Sequence, residues 1–222
     1  MCMCGRFDGA VNSDFKTYGV SGPPVGYQQS FNVAPGMLYP ALFRQSPLRA
    51  ELMKWGLVPF WNKEPKVKFS TINARAETLL TSPVYREAYK KHRCLIPVRG
   101  FYEWRKNADG TKTPFFIHLK SRELFSFAGI WDVWKDVEGV EFKSYAIITT
   151  VPNDSMAKIH TRMPVILAKE DEDTWTEPEF HEKELGALLK PYADHEMHMY
   201  TISSRVNSPK NDDEDILKEV SE

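Results

Sequence analysis

The sequence predicts an α+β fold: a single domain dominated by antiparallel strands, in a barrel-like mixed sheet with a few flanking helices. Three observations predict it. Runs rich in β-branched and aromatic residues recur along the chain. Pro and Gly, 15 and 12 in number, punctuate it at short intervals. Helical patterns are confined to short stretches.

Taken in order, the strand-like runs are Ala41 to Phe43, Leu48 to Trp55, Cys94 to Trp104, Phe115 to Leu119, Phe125 to Trp131, Tyr145 to Thr150 and Pro164 to Leu167. Asn107-Ala108-Asp109-Gly110, between two such runs, reads as a hairpin loop. Helices are expected over Ala74 to Leu80 and Val84 to His92, the second opened by Ser82-Pro83 as N-cap and first helical residue. Ser155 to Ile159 suits a short turn of helix and Glu182 to Leu189 a surface one. No repeat, low-complexity segment or long linker interrupts the chain, so its 222 residues are expected to form one domain, with an acidic C-terminal tail over about 212–222.

Hydrophobic content of 42% and charged content of 27% are ordinary for a soluble globular protein. No apolar run reaches the length of about 18 residues that a membrane span needs, and the N-terminus lacks a basic region followed by an apolar stretch. Three cysteines (Cys2, Cys4 and Cys94) make no disulfide framework and suit a reducing compartment. The expected location is the cytoplasm, at the nucleoid in a bacterium or in the nucleus of a eukaryote. Net charge is −1, but Asp212-Asp213-Glu214-Asp215 concentrates acid at the end and leaves the body mildly basic. A nucleic-acid partner would then be held by a local groove rather than by a global field.

Chemistry concentrates first at Cys4-Gly5-Arg6-Phe7. A cysteine at the start of a mature chain carries a thiol and an α-amine on adjacent carbons. Together they can condense with an aldehyde, the amine forming an imine and the thiol closing a thiazolidine ring. The α-amine has a reference pKa of about 7.7–8.0 against about 10.4 for lysine, so at neutral pH a far larger fraction of it is uncharged and able to attack.

Asn73, at the junction of an extended run and a helix, is either a helix N-cap or an amide held beside a reacting oxygen. Arg75 could hold a phosphate. Glu103, between aromatics in Gly100-Phe101-Tyr102-Glu103-Trp104, is either an exposed strand position or a buried carboxyl with a raised pKa suited to acid/base work. His160 suits proton transfer to a sugar oxygen, and Arg162 suits phosphate recognition. The turn segments Asn32 to Gly36 and Trp55 to Trp61 carry prolines and rings that could stack on bases or wedge between them, or serve simply as core and turn aromatics. Cys2-Met3-Cys4 is one residue short of the usual metal-ligand spacing, and no second pair follows, so neither metal nor cofactor is expected.

The ordered set of segments resembles the SOS-response-associated peptidase family, which includes eukaryotic 5-hydroxymethylcytosine-binding proteins. The set is Met3 to Phe7, Asn32 to Gly36, Trp55 to Pro59, Ile72 to Thr78, Gly100 to Trp104, Ile159 to Pro164 and Ser204 to Asn207, and it spans nearly the whole chain. The resemblance implies a protein that recognises abasic sites in single-stranded DNA and crosslinks itself to them covalently; a monomer without a membrane partner is expected. Cys4 would be the nucleophile, Asn73 would position the sugar and the amine, Glu103 would act as acid/base, and His160 would assist ring opening. Arg6, Arg75 and Arg162 would be DNA-contacting or active-site arginines, and Pro35, Phe60 and Trp61 would wedge into the strand. Autoproteolytic removal of the residues ahead of the cysteine and some abasic-site lyase activity are also implied.

Two departures stand out. Met1-Cys2-Met3 precede Cys4 where the family has a single methionine, so the working start is Met3, or the chain trims itself to Cys4, or Cys2 substitutes. Thr161 stands where the family commonly has an acidic residue. The alternatives are a thiol peptidase acting on other proteins, with Cys4 and His160 as nucleophile and base, and a non-covalent reader of modified DNA.

Overall fold

The structure is a computed structural model and describes residues 5–45 and 47–220. Five strands close on one another: β2 (Leu38–Arg44), β3 (Leu48–Trp55), β8 (Glu141–Thr150), β7 (Phe125–Lys135) and β5 (Arg93–Lys106). Hydrogen bonding runs β2–β3–β8–β7–β5, and β5 returns to β2 through the Leu42–Leu95 pair. All these pairings are antiparallel except β3 with β8. The barrel-like mixed sheet is therefore present.

The remaining strands attach to this ring. The second half of β5 pairs with β1 (Phe7–Gly9) and with β6 (Lys112–Leu119), and β6 carries β11 (Met197–Thr201) as the outer strand. Strand β8 takes β4 (Asn73–Arg75) in parallel and β9 (Met163–Pro164) antiparallel near its C-terminal end, and β10 (Ile166–Leu167) extends β7.

Strand alternation divides the apolar residues into two layers. Tyr39, Ala41, Phe43, Met53, Trp55, Cys94, Ile96, Val98, Phe127, Tyr145 and Ile147 face the barrel interior in one cluster. Their neighbours Leu42, Leu95, Ala128, Ile130, Ala146 and Ile148 face outward. They are covered by α1 (Arg86–Lys91), α3 (Asp171–Thr176) and α4 (Glu182–Leu188), through Tyr89, Trp175 and Leu185. The fourth helix, α2 (Asp154–Ala157), is capped by the Asn153 side chain, which accepts from Met156 N–H. No helix is long and apolar enough to cross a membrane among the described residues.

Every strand expected from sequence is found, the last as the β9/β10 pair, and the hairpin loop at Asn107–Gly110 closes with Gly110 at φ 86°. Three strands were not legible: β1, β4 and β11, each short. The helix expected over Ala74–Leu80 is instead β4 followed by one 3-10 turn, Ala76–Thr78, because the parallel edge of β8 captures its first residues. The second expected helix starts at Arg86, and Ser82 lies in the turn before it, its carbonyl accepting from Tyr85 and Arg86 N–H. The acidic C-terminal stretch is packed. Ile216 is fully buried, Val220 N–H donates to the Thr201 carbonyl, and one Asp212 oxygen accepts from Ser30 Oγ and from Phe31 and Asn32 N–H.

Cys94 faces the barrel interior with its thiol pKa pushed far up by burial, so it stays protonated and inert. Opposite it, Gly129 occupies an inward position where a Cβ would lie 2.8 Å from the Cys94 sulfur and 3.1 Å from Ile96 Cγ1. Gly129→Ala is therefore expected to lose about 1–3 kcal/mol in urea unfolding. Combining it with Cys94→Ala should recover part of that loss, and strict additivity would contradict this packing.

Candidate active site

Two arginines that the sequence marks for DNA are turned into the protein. Arg6 Nη1 donates to Asn32 Oδ1 and to the Val206 carbonyl, both at 2.9 Å, and Nη2 reaches the Asn207 carbonyl at 3.1 Å. Asn32 is fully buried and spends its amide on the carbonyls of Val206, Ser208 and Asn211. Asn207 in turn accepts from Trp104 Nε1 at 2.7 Å. The beginning of the chain is thus tied to its end, beside the segment that carries Glu103.

The second arginine performs the same task at the far end of β8. There β4 and β9 flank the strand, with Arg75 opposite Thr149 on one side and Pro164 opposite it on the other. Arg162 crosses between them, forked onto both Glu77 oxygens and donating to the Thr149 carbonyl at 2.6 Å. The Glu77 carboxylate is held below its ordinary pKa by that hydrogen bond. Glu77 and Arg162 come from two of the sequence segments singled out above, so this pair fixes the Asn73 strand relative to the His160 loop.

Packing joins the remaining segments. Phe7, Val33, Trp55, Ile72, Phe101, Ile159 and Met163 all belong to the barrel-interior cluster, and each lies next to or within a marked segment. The Phe7 ring sits 5.0 Å from Trp55, and Trp55 Nε1 donates to the Ile72 carbonyl at 2.9 Å. Six of the seven segments thus meet through one core, and the seventh joins through Arg6.

Around this frame the candidate chemical groups take distinct positions. Asn73 is half-buried within β4, and the following 3-10 turn is capped by Arg75, which removes the N-cap reading of Asn73. Glu103 is 3% exposed, on the same face of β5 as Phe101 and opposite Phe115 of β6, so the reading as an exposed strand position does not hold. Tyr102 N–H donates to the Arg6 carbonyl at 3.1 Å, which lays the Gly5–Arg6 backbone alongside the Tyr102–Glu103 stretch.

His160 follows α2 and is half-buried. Its Nδ1 accepts from Arg162 N–H at 3.2 Å, so a neutral ring carries its proton on Nε2. Burial lowers its pKa below the ordinary 6.5 against the raising effect of that hydrogen bond, and Lys112 lowers it further. The ring is neutral at pH 7. Cys4 lies outside the described residues.

Other marked groups are exposed. Arg75 is exposed and makes no ion pair among the described residues. Pro35 is exposed, and Phe60 and Trp61 are 56% and 50% exposed, whereas Trp55 is a core residue. Their turn is rigidly held: buried Asp132 accepts from Phe60 N–H at 2.9 Å, and Trp134 Nε1 donates to the Asn62 carbonyl at 2.8 Å. Beyond it a cleft of about 470 Å³ is lined by Trp61, Lys63, Lys66, Lys68 and exposed Phe69 among others. Sequence reasoning missed these lysines and Phe69, although three lysines at close spacing between two aromatic residues were a readable signal. It also left Glu77 and Asn32 without a role.

The barrel, its flanking strands and this arrangement of clamps define a known class. The chain matches the family described as SOS response associated peptidase (SRAP) over residues 3–209, and it belongs to that family. It is 41% identical over 221 residues to the abasic site processing protein YoaM of Bacillus subtilis, covering 97% of each chain. It is 30% identical over 225 residues to the abasic site processing protein HMCES of Gallus gallus, covering 86% of this chain and 66% of that one. A crystal structure of a protein from Bacteroides thetaiotaomicron superposes with a TM-score of 0.88 at 30% identity, over 99% of this chain and all of that one.

Two outcomes are expected from this geometry. A double-mutant cycle on Arg162→Ala and Glu77→Ala should give a coupling of about 1 kcal/mol, as a forked, partly buried pair does; no coupling would show that the fork adds nothing. The second concerns Asp8, 2% exposed, whose Oδ1 has no hydrogen-bond partner. Burial pushes its pKa from 3.8 up to about 8, with Arg99 opposing and Asp14, Asp212 and Glu214 adding to the rise. The folded protein holds this proton where the unfolded chain has lost it. Stability should therefore fall as pH rises from about 4 to about 8, by at most about 1.4 kcal/mol per pH unit. Asp8→Asn should flatten that dependence in urea midpoints, and an unchanged slope would contradict the assignment.

Proposed function

We propose that this protein captures abasic sites in single-stranded DNA by forming a thiazolidine between Cys4 and the ring-opened deoxyribose. The observation that carries this reading is the anchoring of the Gly5–Arg6 backbone alongside buried Glu103, by the Arg6 clamp and the Tyr102 hydrogen bond. Holding Gly5 and Arg6 in this way would lower the entropic cost of a reaction at the residue before them. Residues ahead of Cys4 must first be removed, and we propose that the same site does this by autoproteolysis.

In the capture step the Cys4 amine attacks the C1′ aldehyde carbon and water leaves, giving an imine. The thiol then adds to the imine carbon, and its proton passes to the nitrogen. One water is lost overall. Glu103 exchanges protons with the amine and the departing water. His160, neutral with its proton on Nε2, donates a hydrogen bond to the sugar ring oxygen, and the proton that this oxygen gains as the ring opens is the one released by the C1′ hydroxyl. Asn73 orients the sugar and the amine. The imine also permits loss of the 3′ phosphate, a lyase side reaction.

The strand would run over the exposed surface. Arg75 and the lysines at 63, 66 and 68 would neutralise phosphates, and Trp61, Phe60 and Phe69 would stack on bases, with exposed Pro35 as a further wedge. Arg6 and Arg162 act as positioning residues rather than phosphate contacts.

Denaturing gels and intact mass after incubation with single-stranded DNA holding one abasic site test this. Protein beginning at Cys4 is expected to give one salt- and detergent-resistant adduct, absent from Cys4→Ala. Capture should speed up as pH rises through about 6 to 8, as the amine loses its proton. An equal yield from Cys4→Ala, or no adduct from correctly trimmed protein, would overturn the proposal in favour of a peptidase or a reversible reader.

A further inference from the structure

We propose that His118 and His198 form a binding site for a divalent transition-metal cation, outside the DNA-directed surface and fastening strand β11 to β6. The two residues are direct cross-strand partners. His118 Nε2 lies 3.1 Å from His198 Nδ1, and His118 Nδ1 lies 3.0 Å from the Leu119 carbonyl. A carbonyl can only accept, so His118 carries its proton on Nδ1 and aims the Nε2 lone pair at its partner. Without metal, His198 Nδ1–H donates to that lone pair; a cation replaces this proton, His198 then carrying its own on Nε2 so that both lone pairs face the ion.

Metal–imidazole bonds of about 2.0–2.1 Å span an N···N separation close to this one. A carbonyl holding the far nitrogen of the ring is the usual means of orienting a histidine ligand. The rings are also held sideways, His118 lying 5.7 Å from Phe116 and 6.0 Å from Tyr200, and His198 lying 5.6 Å from Tyr200. No group of three or more His, Cys, Asp or Glu side chains suited to a metal occurs among the described residues, so water completes the coordination shell. His198 is exposed, which gives the water access. Two imidazoles without oxygen ligands select nickel, copper or zinc over calcium or magnesium.

The site has a structural consequence. β11 is the outermost strand and leads directly into the 3-10 turn Ser204–Asn207, whose carbonyls hold Arg6. A bridging cation would therefore brace the segment that anchors the start of the chain, and would stabilise the folded state by mass action.

The test is calorimetric titration of nickel chloride into the full chain carrying Cys2→Ala and Cys4→Ala, which removes competing thiolates, with Tm measured in parallel. One site and a nickel-dependent rise in Tm are expected. Both His118→Gln and His198→Gln should weaken binding by about tenfold or more and abolish the rise. His198 is exposed, so its variant tests the site even if His118→Gln disturbs the fold. Unchanged affinity in the His198 variant, or neither heat nor Tm shift at millimolar nickel, would overturn the site.

Discussion

The double use of β5 constrains everything else in this molecule. From Arg93 to Val98 the strand pairs with β7, and at Leu95 with β2, which closes the barrel. From Val98 onward it pairs with β1 and then with β6. Side chains alternate along a strand, so a slip of one residue would exchange the two faces of all 14 residues. The inward run Cys94, Ile96 and Val98 fixes the register of the first half. The pairing with β1 then shifts between Gly9 opposite Val98 and Asp8 opposite Gly100, and beyond that irregularity it is Phe101 that faces the same interior cluster. That shift turns Phe101 inward, and Glu103, two residues on and on the same face, is buried opposite Phe115. A carboxyl placed in this way is positioned by core packing, at no cost in loop ordering.

Three buried or half-buried guanidinium groups serve as fasteners. Arg6 and Arg162 draw remote segments together through the partners described above. Arg93 is the third: it donates to the carbonyls of Tyr89 and Lys90 in the last turn of α1, of Trp175 in the last turn of α3 and of Glu179 just beyond it, and so holds both helices against the barrel. Helix C-termini leave carbonyls unsatisfied and carry partial negative charge, which offsets the cost of burying the cation without a carboxylate. The planar fork of arginine suits all three roles, since one side chain can satisfy several acceptors in different directions.

Much of the fold was legible because long strands with β-branched and aromatic content declare themselves. Leu48–Trp55 was read to the residue. The strands missed, Phe7–Gly9, Asn73–Arg75 and Met197–Thr201, are short, and their conformation is imposed by partners distant in sequence. For the same reason Ala74–Leu80 read as helix: its local pattern is helical, and the edge of β8 overrides it. In the site, the segments themselves were visible, but the direction in which each charged side chain points was not. Arg6, Arg75 and Arg162 are equivalent as letters, and only the positions of Asn32, Glu77 and the Val206 carbonyl separate two inward clamps from one exposed cation. Glu103 was ambiguous because alternation between aromatics allows one exposed face; in the fold both faces of this stretch are covered, Phe101 lying in the barrel-interior cluster and Tyr102 in a second one.

The most direct test is tandem mass spectrometry of the adduct after nuclease and trypsin digestion, with thiol- and amine-reactive labels applied beforehand. The expected result is a deoxyribose remnant on the peptide that begins at Cys4, with both its amine and its thiol blocked to labelling. A remnant on Lys63, Lys66 or Lys68, or on Cys4 with its amine still free to react, would contradict thiazolidine capture.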